Sequence, residues 1–156
     1  MESSEIETGG GMHLSDAAGV IVLAGRILFA AFFAWNAGIG HIRRSRMMED
    51  YARSARFPVP AVAGWPAGLW LITGGLLIAL GVWPDVGALM ITAFVIPAAL
   101  WFHRFWSVED QTQKMTQTQL FWRNMIALGA SIALFGMFVT LGEELRFTVT
   151  APLFNF

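Results

Sequence analysis

Cysteine is absent from the 156 residues. That excludes disulfides, thiolate metal sites, iron–sulfur clusters and a persulfide nucleophile, so a redox role has to rest on a bound cofactor. Charge is scarce too: charged residues make up 13% of the chain, and the net charge is −1. No basic face is available for nucleic acid, which removes that class of partner. Nucleophile–base triads, phosphate-binding loops, paired catalytic carboxylates and solenoid repeats are missing as well. The opening MESSEIETGGGMHLSD lacks the basic n-region of a secretory signal. It reads as a flexible acidic tail over residues 1–16, with His13 a solvated histidine.

What remains is apolar. Hydrophobic residues make up 56% of the chain, and mean hydropathy is +0.57. A soluble domain of this size cannot hide that much apolar surface, so the solvent is lipid. The expected fold is all-α: an integral membrane four-helix bundle filling residues 17–142, followed by a C-terminal tail at 143–156. Its helices cover about 17–42, 64–83, 86–106 and 120–141, each close to the roughly 20 residues that cross a bilayer.

Several side chains interrupt these segments. Arg26 sits about a third of the way along the first helix, where it either snorkels to the near interface or pairs inside the bundle. Asn36 can hydrogen-bond across helices, and Gly38 and Gly40 let another backbone approach. Gly64, Gly68, Gly74, Gly75 and Gly81 keep the second helix thin. Pro97 bends the third helix and frees a carbonyl. Gly129, Ala133 and Gly136 share one packing stripe on the fourth. Between the first two helices, Met47, Met48, Tyr51, Ala52 and Ala55 fall on one helical face and the arginines fall elsewhere. That pattern is a short interfacial amphipathic helix, ended by Pro58 and Pro60. Its arginines suit anionic lipid heads or a partner subunit.

Eight of the ten basic residues lie in or beside the 1–2 and 3–4 connections. The positive-inside tendency puts those connections in the cytoplasm and both termini outside it, in a bacterial plasma membrane. Trp65, Trp101, Trp106 and Trp122 form an aromatic belt at the same interface.

Polar chemistry concentrates between Trp101 and Asn124: WFHRFW, a polar run SVEDQTQKMTQTQ, then LFWRN. His41 and His103 end the first and third helices, and imidazole is the side chain that changes charge near neutral pH. Zinc wants further ligands than Glu49, Asp50 and Glu109 offer, so no metal site is expected. Two readings of the place stand. A quinone head binds at His103, Arg104 and Asn124, with Trp101 or Trp106 against its ring and His41 close by. Otherwise His103 and Asn124 hydrogen-bond across the third and fourth helices and fix the hairpin, with His103 or a third-helix carbonyl as the partner of Asn124, since an unpaired amide in lipid costs about 1–3 kcal/mol.

The pattern GRILFAAFF…NAGIGHI, FPVP, GGLLIALG, LWFHRFW and FWRNMIALG resembles the DoxX family of small four-helix bacterial and archaeal membrane proteins, over about Gly25 to Gly136. WFHRFW and WRN at this separation are the more specific parts. The resemblance implies the four-helix fold and, from some members, thiosulfate:quinone oxidoreduction or association with quinol oxidase complexes. Two departures stand out. His41 occupies a place where the family often has Lys, and Thr73 one where it often has Glu before the double glycine. The missing intramembrane acid removes a proton-handling group. The expected function is therefore a non-catalytic accessory subunit of a larger respiratory or photosynthetic membrane complex, partnered by lipid and other membrane subunits. The alternative is a quinone-linked oxidoreductase component of the thiosulfate:quinone type. A small transporter ranks last, because no charged pathway crosses the midplane.

Overall fold

The computed structural model describes residues 16–154, all in helices, turns and connecting segments with no strand among the described residues. The acidic tail and His13 lie outside the described residues. Helix α1 spans Asp16–Arg43. Surface helix α2 (Ser45–Ser54) follows, then α3 (Trp65–Leu80), α4 (Pro84–Pro97) and α5 (Gln111–Leu141). Three stretches, Asp16–Arg43, Pro84–Ser107 and Gln111–Glu144, are long and apolar enough to cross a membrane. The 16 residues of α3 cover only about 24 Å, short of a hydrocarbon core of roughly 30 Å. Three long helices and one shorter one therefore stand where four spans were expected.

The last helix begins at Gln111 rather than near 120. Asp110 caps it, its Oδ1 accepting from Gln113 N at 2.8 Å. Thr116 and Thr118 then bond back to the carbonyls of Thr112 and Lys114. Hydropathy sees only the lipid-facing part of this helix, while capping sets where its backbone starts.

Helix α1 packs on α3, α3 on α4, and α4 on α5. Small residues set the first two contacts. A Cβ added at Gly68 would lie 2.7 Å from Gly38 O, one at Gly75 would lie 3.0 Å from Ala30 O, and one at Gly87 would lie 2.7 Å from Gly74 O. The expected stripe on the fourth apolar helix behaves differently. Gly129, Ala133 and Gly136 are exposed, and a Cβ at either glycine meets nothing within 4 Å. That stripe faces away from the bundle, where a helix held on one side leaves most of its surface. Asn36 is exposed as well, and among the described residues its side chain makes no hydrogen bond to another helix.

At one end lie the start of α1, the α3–α4 turn and the chain beyond α5. Arg26 is fully buried there. Its Nε donates to Ile78 O at 3.0 Å, and Nη2 donates to Ala79 O at 3.2 Å. Nη1 donates to Phe147 O at 3.1 Å. Pairing inside the bundle thus replaces snorkelling. The C-terminal segment folds back over this end: Val149 N and Thr150 N both donate to Gly81 O, and Phe154 N donates to Asp85 Oδ2 at 2.7 Å. Gly81 has φ +68, and its missing Cβ leaves room for Arg26 Nη2 and Thr148.

Two outcomes follow from this packing. Gly68→Ala should cost about 1–3 kcal/mol by overpacking, whereas Gly129→Ala should leave stability unchanged or raise it by about 0.5–1 kcal/mol. Equal thermal midpoints for the two variants in detergent would contradict the close α1–α3 approach. Arg26→Leu should cost about 1–3 kcal/mol by stranding buried carbonyls. It should also expose the tail after Leu145 to protease, and Arg26→Lys should recover only part of both effects.

Candidate functional site

The opposite end of the bundle is wider. Two helices swell there into π-helical turns. In α1 the swelling is Phe32–Gly38, after which Ile39 N–H reaches back to Ala34 O, and directly after α4 it is Ala98–Phe102, which continues that helix past Pro97. Pro97 gives that second swelling its cause, because it lacks the N–H that an α-helical turn would use. Turns of this kind displace the side chains that follow. Phe32, Phe33 and Ala37 from the first, and Ala98 and Phe102 from the second, all border one cavity of about 780 Å³.

Its walls are mainly aromatic and aliphatic, with Phe33, Trp70, Phe94 and Phe102 supplying rings. Five polar side chains break that surface: His41, His103, Gln117, Arg123 and Asn124. His41 Nδ1 donates to Ala63 O at 2.7 Å, and the ring sits edge-on to Phe94 with centroids 5.5 Å apart. His103 Nδ1 donates to Gln117 Oε1 at 2.9 Å. With Nδ1 donating, the neutral form of each ring keeps its lone pair on Nε2. Asn124 Nδ2 uses one proton on Leu120 O at 2.9 Å and retains a second. Arg123 sets its guanidinium 6.0 Å from the centroid of Phe32.

Helix α2 covers the cavity on the side away from the tail, with Met48 and Tyr51 facing it. Tyr51 OH donates to Phe102 O at 2.8 Å, which takes up a carbonyl at the end of the swollen turn. Trp101 Nε1 donates to Ala55 O at 3.0 Å, and Phe57 packs against the rings of Trp101 and Phe102. Ser45 Oγ accepts from Trp65 N at 3.0 Å, which ties the start of α2 to the start of α3.

Of the six residues singled out in the sequence, the structure brings His41, His103 and Asn124 to one cavity. Trp101, Trp106 and Arg104 do not line it. Trp101 instead holds the segment after α2 in place, and Trp106 packs on Phe105 and Phe121 with about half its surface exposed. Arg104 is exposed, and its carbonyl accepts from Ser107 Oγ. The expected His103–Asn124 bond is not formed. The hairpin is tied by His103 to Gln117, while Asn124 satisfies its own helix. Sequence reasoning placed Gln117 in a loop and so passed over it. Asp110 followed three residues later by Gln113 was the signal that the helix had already begun.

The DoxX family model matches residues 21–104, just over half of the chain. The matched segment runs from early α1 to the far end of α4, so it holds His41, WFHR and most of the cavity wall. It stops short of FWRN, which the expected resemblance had included. No curated protein and no solved structure matches the chain.

Asn124→Leu should change stability by less than about 0.5 kcal/mol, since only a bond within one helix is lost. Gln117→Leu strands His103 Nδ1 and should cost about 1–3 kcal/mol. Thermal melting of both variants in one detergent checks the order. The reverse order would return the lock to Asn124.

Proposed function

This chain belongs to the DoxX family, and from that premise we propose that it holds the head of a quinone or quinol within the membrane, as a subunit of a larger membrane complex. One observation carries the reading: two imidazoles, two carboxamides and a guanidinium border a cavity of about 780 Å³ whose other walls are rings and aliphatic chains. Sites for small organic ligands typically run to about 300–1,000 Å³ and pair apolar walls with a few convergent polar groups.

The donor set suits a head that alternates between carbonyl and hydroxyl. Nε2 of a neutral His41 or His103 accepts from a quinol hydroxyl, and the same atom donates to a quinone carbonyl once protonated. The spare amide proton of Asn124 and the guanidinium of Arg123 donate to a carbonyl in either state. Phe33, Phe94 and Trp70 offer faces and edges to a flat ring. When bound, such a head carries the two-electron chemistry, while this chain binds it, orients it and handles a proton at Nε2. With no cysteine and no nucleotide-binding or haem-attachment motif, the electron donor falls to another chain or to a cofactor carried there. That assigns the accessory role and the quinone-linked role to one protein.

Topology enters the same reading. We take α3 as the fourth crossing, because it connects the same two ends of the bundle as its longer neighbours. The end with α2 and its exposed arginines faces the cytoplasm, and both termini face outward.

The test is a titration of the purified protein with a tail-less dimethoxy-methyl-benzoquinone, followed by quenching of tryptophan fluorescence, to which Trp70 reports from the cavity wall. Saturable quenching is expected. His103→Phe should weaken it at least tenfold, about 1.4 kcal/mol. Trp106→Phe, outside the cavity, should leave the affinity as it was. Quenching that never saturates, or that ignores His103→Phe, would remove the reading.

A further inference from the structure

Resting on that reading of the cavity, we infer that its ligand is a tailed lipid which enters and leaves sideways from the bilayer, through the seam between α1 and α5, with Phe32 and Arg123 forming the gate.

The four seams of the bundle decide this. Between α1 and α3, Gly38 meets Gly68, and Ala30 and Ala34 meet Gly75, at distances that leave no room even for a methyl group. Between α3 and α4, Gly74 meets Gly87 in the same way, and Trp70 Nε1 donates across the seam to Met90 O at 2.7 Å. Between α4 and α5, the hydroxyls of Thr92 and Ser131 lie 2.9 Å apart, and His103 bonds to Gln117. Among the described residues no hydrogen bond joins α1 to α5. Two cation–π contacts span that seam: Arg26 against Phe138 at 5.9 Å, and Arg123 against Phe32 at 6.0 Å.

Those two contacts differ in kind. Arg26 and Phe138 are both fully buried at the closed end, where the guanidinium is also held by backbone carbonyls. Arg123 is exposed, and Phe32 is 37% exposed, at the level of the cavity that both residues line. An exposed cation–π contact is weak enough to open at thermal cost. A ring-shaped head moving through the seam also offers Arg123 a second π-face, so the cation exchanges one ring for another.

The route from water is shut by comparison. Tyr51–Phe102, Trp101–Ala55 and Ser45–Trp65 hydrogen bonds hold α2 and the segment after it across that side of the cavity. A ligand confined to the bilayer, with a polar ring ahead and hydrocarbon behind, meets the polar wall with its ring while its tail stays in lipid between α1 and α5. A ligand arriving from water has to break the lid first.

The native chain has no cysteine, so a double variant labels cleanly. Phe32→Cys/Arg123→Cys is bridged with a short bismaleimide, and the control is the same double variant capped with N-ethylmaleimide. Each is reconstituted in phosphatidylcholine vesicles, mixed with vesicles carrying a decyl-tailed benzoquinone, and followed by the rate of tryptophan quenching. Bridging should slow uptake at least tenfold relative to the capped protein. The single variant Phe32→Ala, which widens the seam, should speed both uptake and release at least threefold. Equal rates for bridged and capped protein, with Phe32→Ala like wild type, overturn the gate and leave the ligand reading standing. Wild-type protein that shows saturable quenching with neither the tailed nor the tail-less quinone overturns the ligand reading, and the gate with it.

Discussion

Arg26 brings a full charge into an apolar bundle, and the shape of the closed end follows from how that charge is satisfied. A guanidinium withdrawn from water is tolerated only where its donors all find acceptors. Here they find the carbonyls of Ile78 and Ala79, which belong to the last turn of α3 and have no partner along their own helix. The negative end of that helix dipole adds to the attraction. Gly81 in the left-handed region ends α3 at once, and its carbonyl receives Val149 N and Thr150 N, which draws the C-terminal segment across the same group. One side chain therefore ties α1, α3 and the tail together. Phe138, buried beneath it, brings α5 to the same point.

Toward the other end the packing changes character. Glycines and alanines let α1, α3 and α4 run in contact, but residues 32–38 and 98–102 widen the helices that carry them. Gly38 of the first swollen turn still meets Gly68 of α3, while large rings, from Phe32 to Phe102, stand on the side that borders the cavity. Because α5 is fastened to α1 at the closed end and to α4 along its length, the extra width collects between α1 and α5. The cavity is the space left by a bundle clamped at one end and filled with rings at the other. Met48 and Tyr51 of α2 close it from above, so the short amphipathic helix lies over the cavity.

Much of this was legible in the sequence, and the gaps have physical causes. Apolar length gave the long helices, and amphipathic spacing gave α2. The glycines of α3 announced a close neighbour, although nothing in their spacing said that Gly68 would meet Gly38. Spacing alone does not say which way a stripe faces: Gly129, Ala133 and Gly136 were read as one packing stripe, and it lies on the outside of the bundle. His41, His103 and Asn124 were found by chemistry, as polar groups at helix ends. Trp101, Trp106 and Arg104 were chosen for adjacency in sequence, but the chain leaves its helical path after Phe102 and sends neighbouring residues to different places. Pro97 warned of irregular backbone in α4. The matching turn in α1 has no proline and gave no signal.

The way the two histidines are fixed bears on what the cavity wall can do. Each spends Nδ1 on an acceptor that belongs to the frame: Ala63 O for His41, and Gln117 Oε1 for His103. Gaining or losing a proton at Nε2 leaves those bonds intact, because Nδ1 donates in both charge states. The ring orientation therefore survives the change, and one wall geometry serves a partner that accepts and a partner that donates. A lysine at the position of His41 would offer donors alone while charged, whereas a neutral His41 keeps an accepting Nε2 as well. Thr73 is exposed on α3 and stands apart from the cavity.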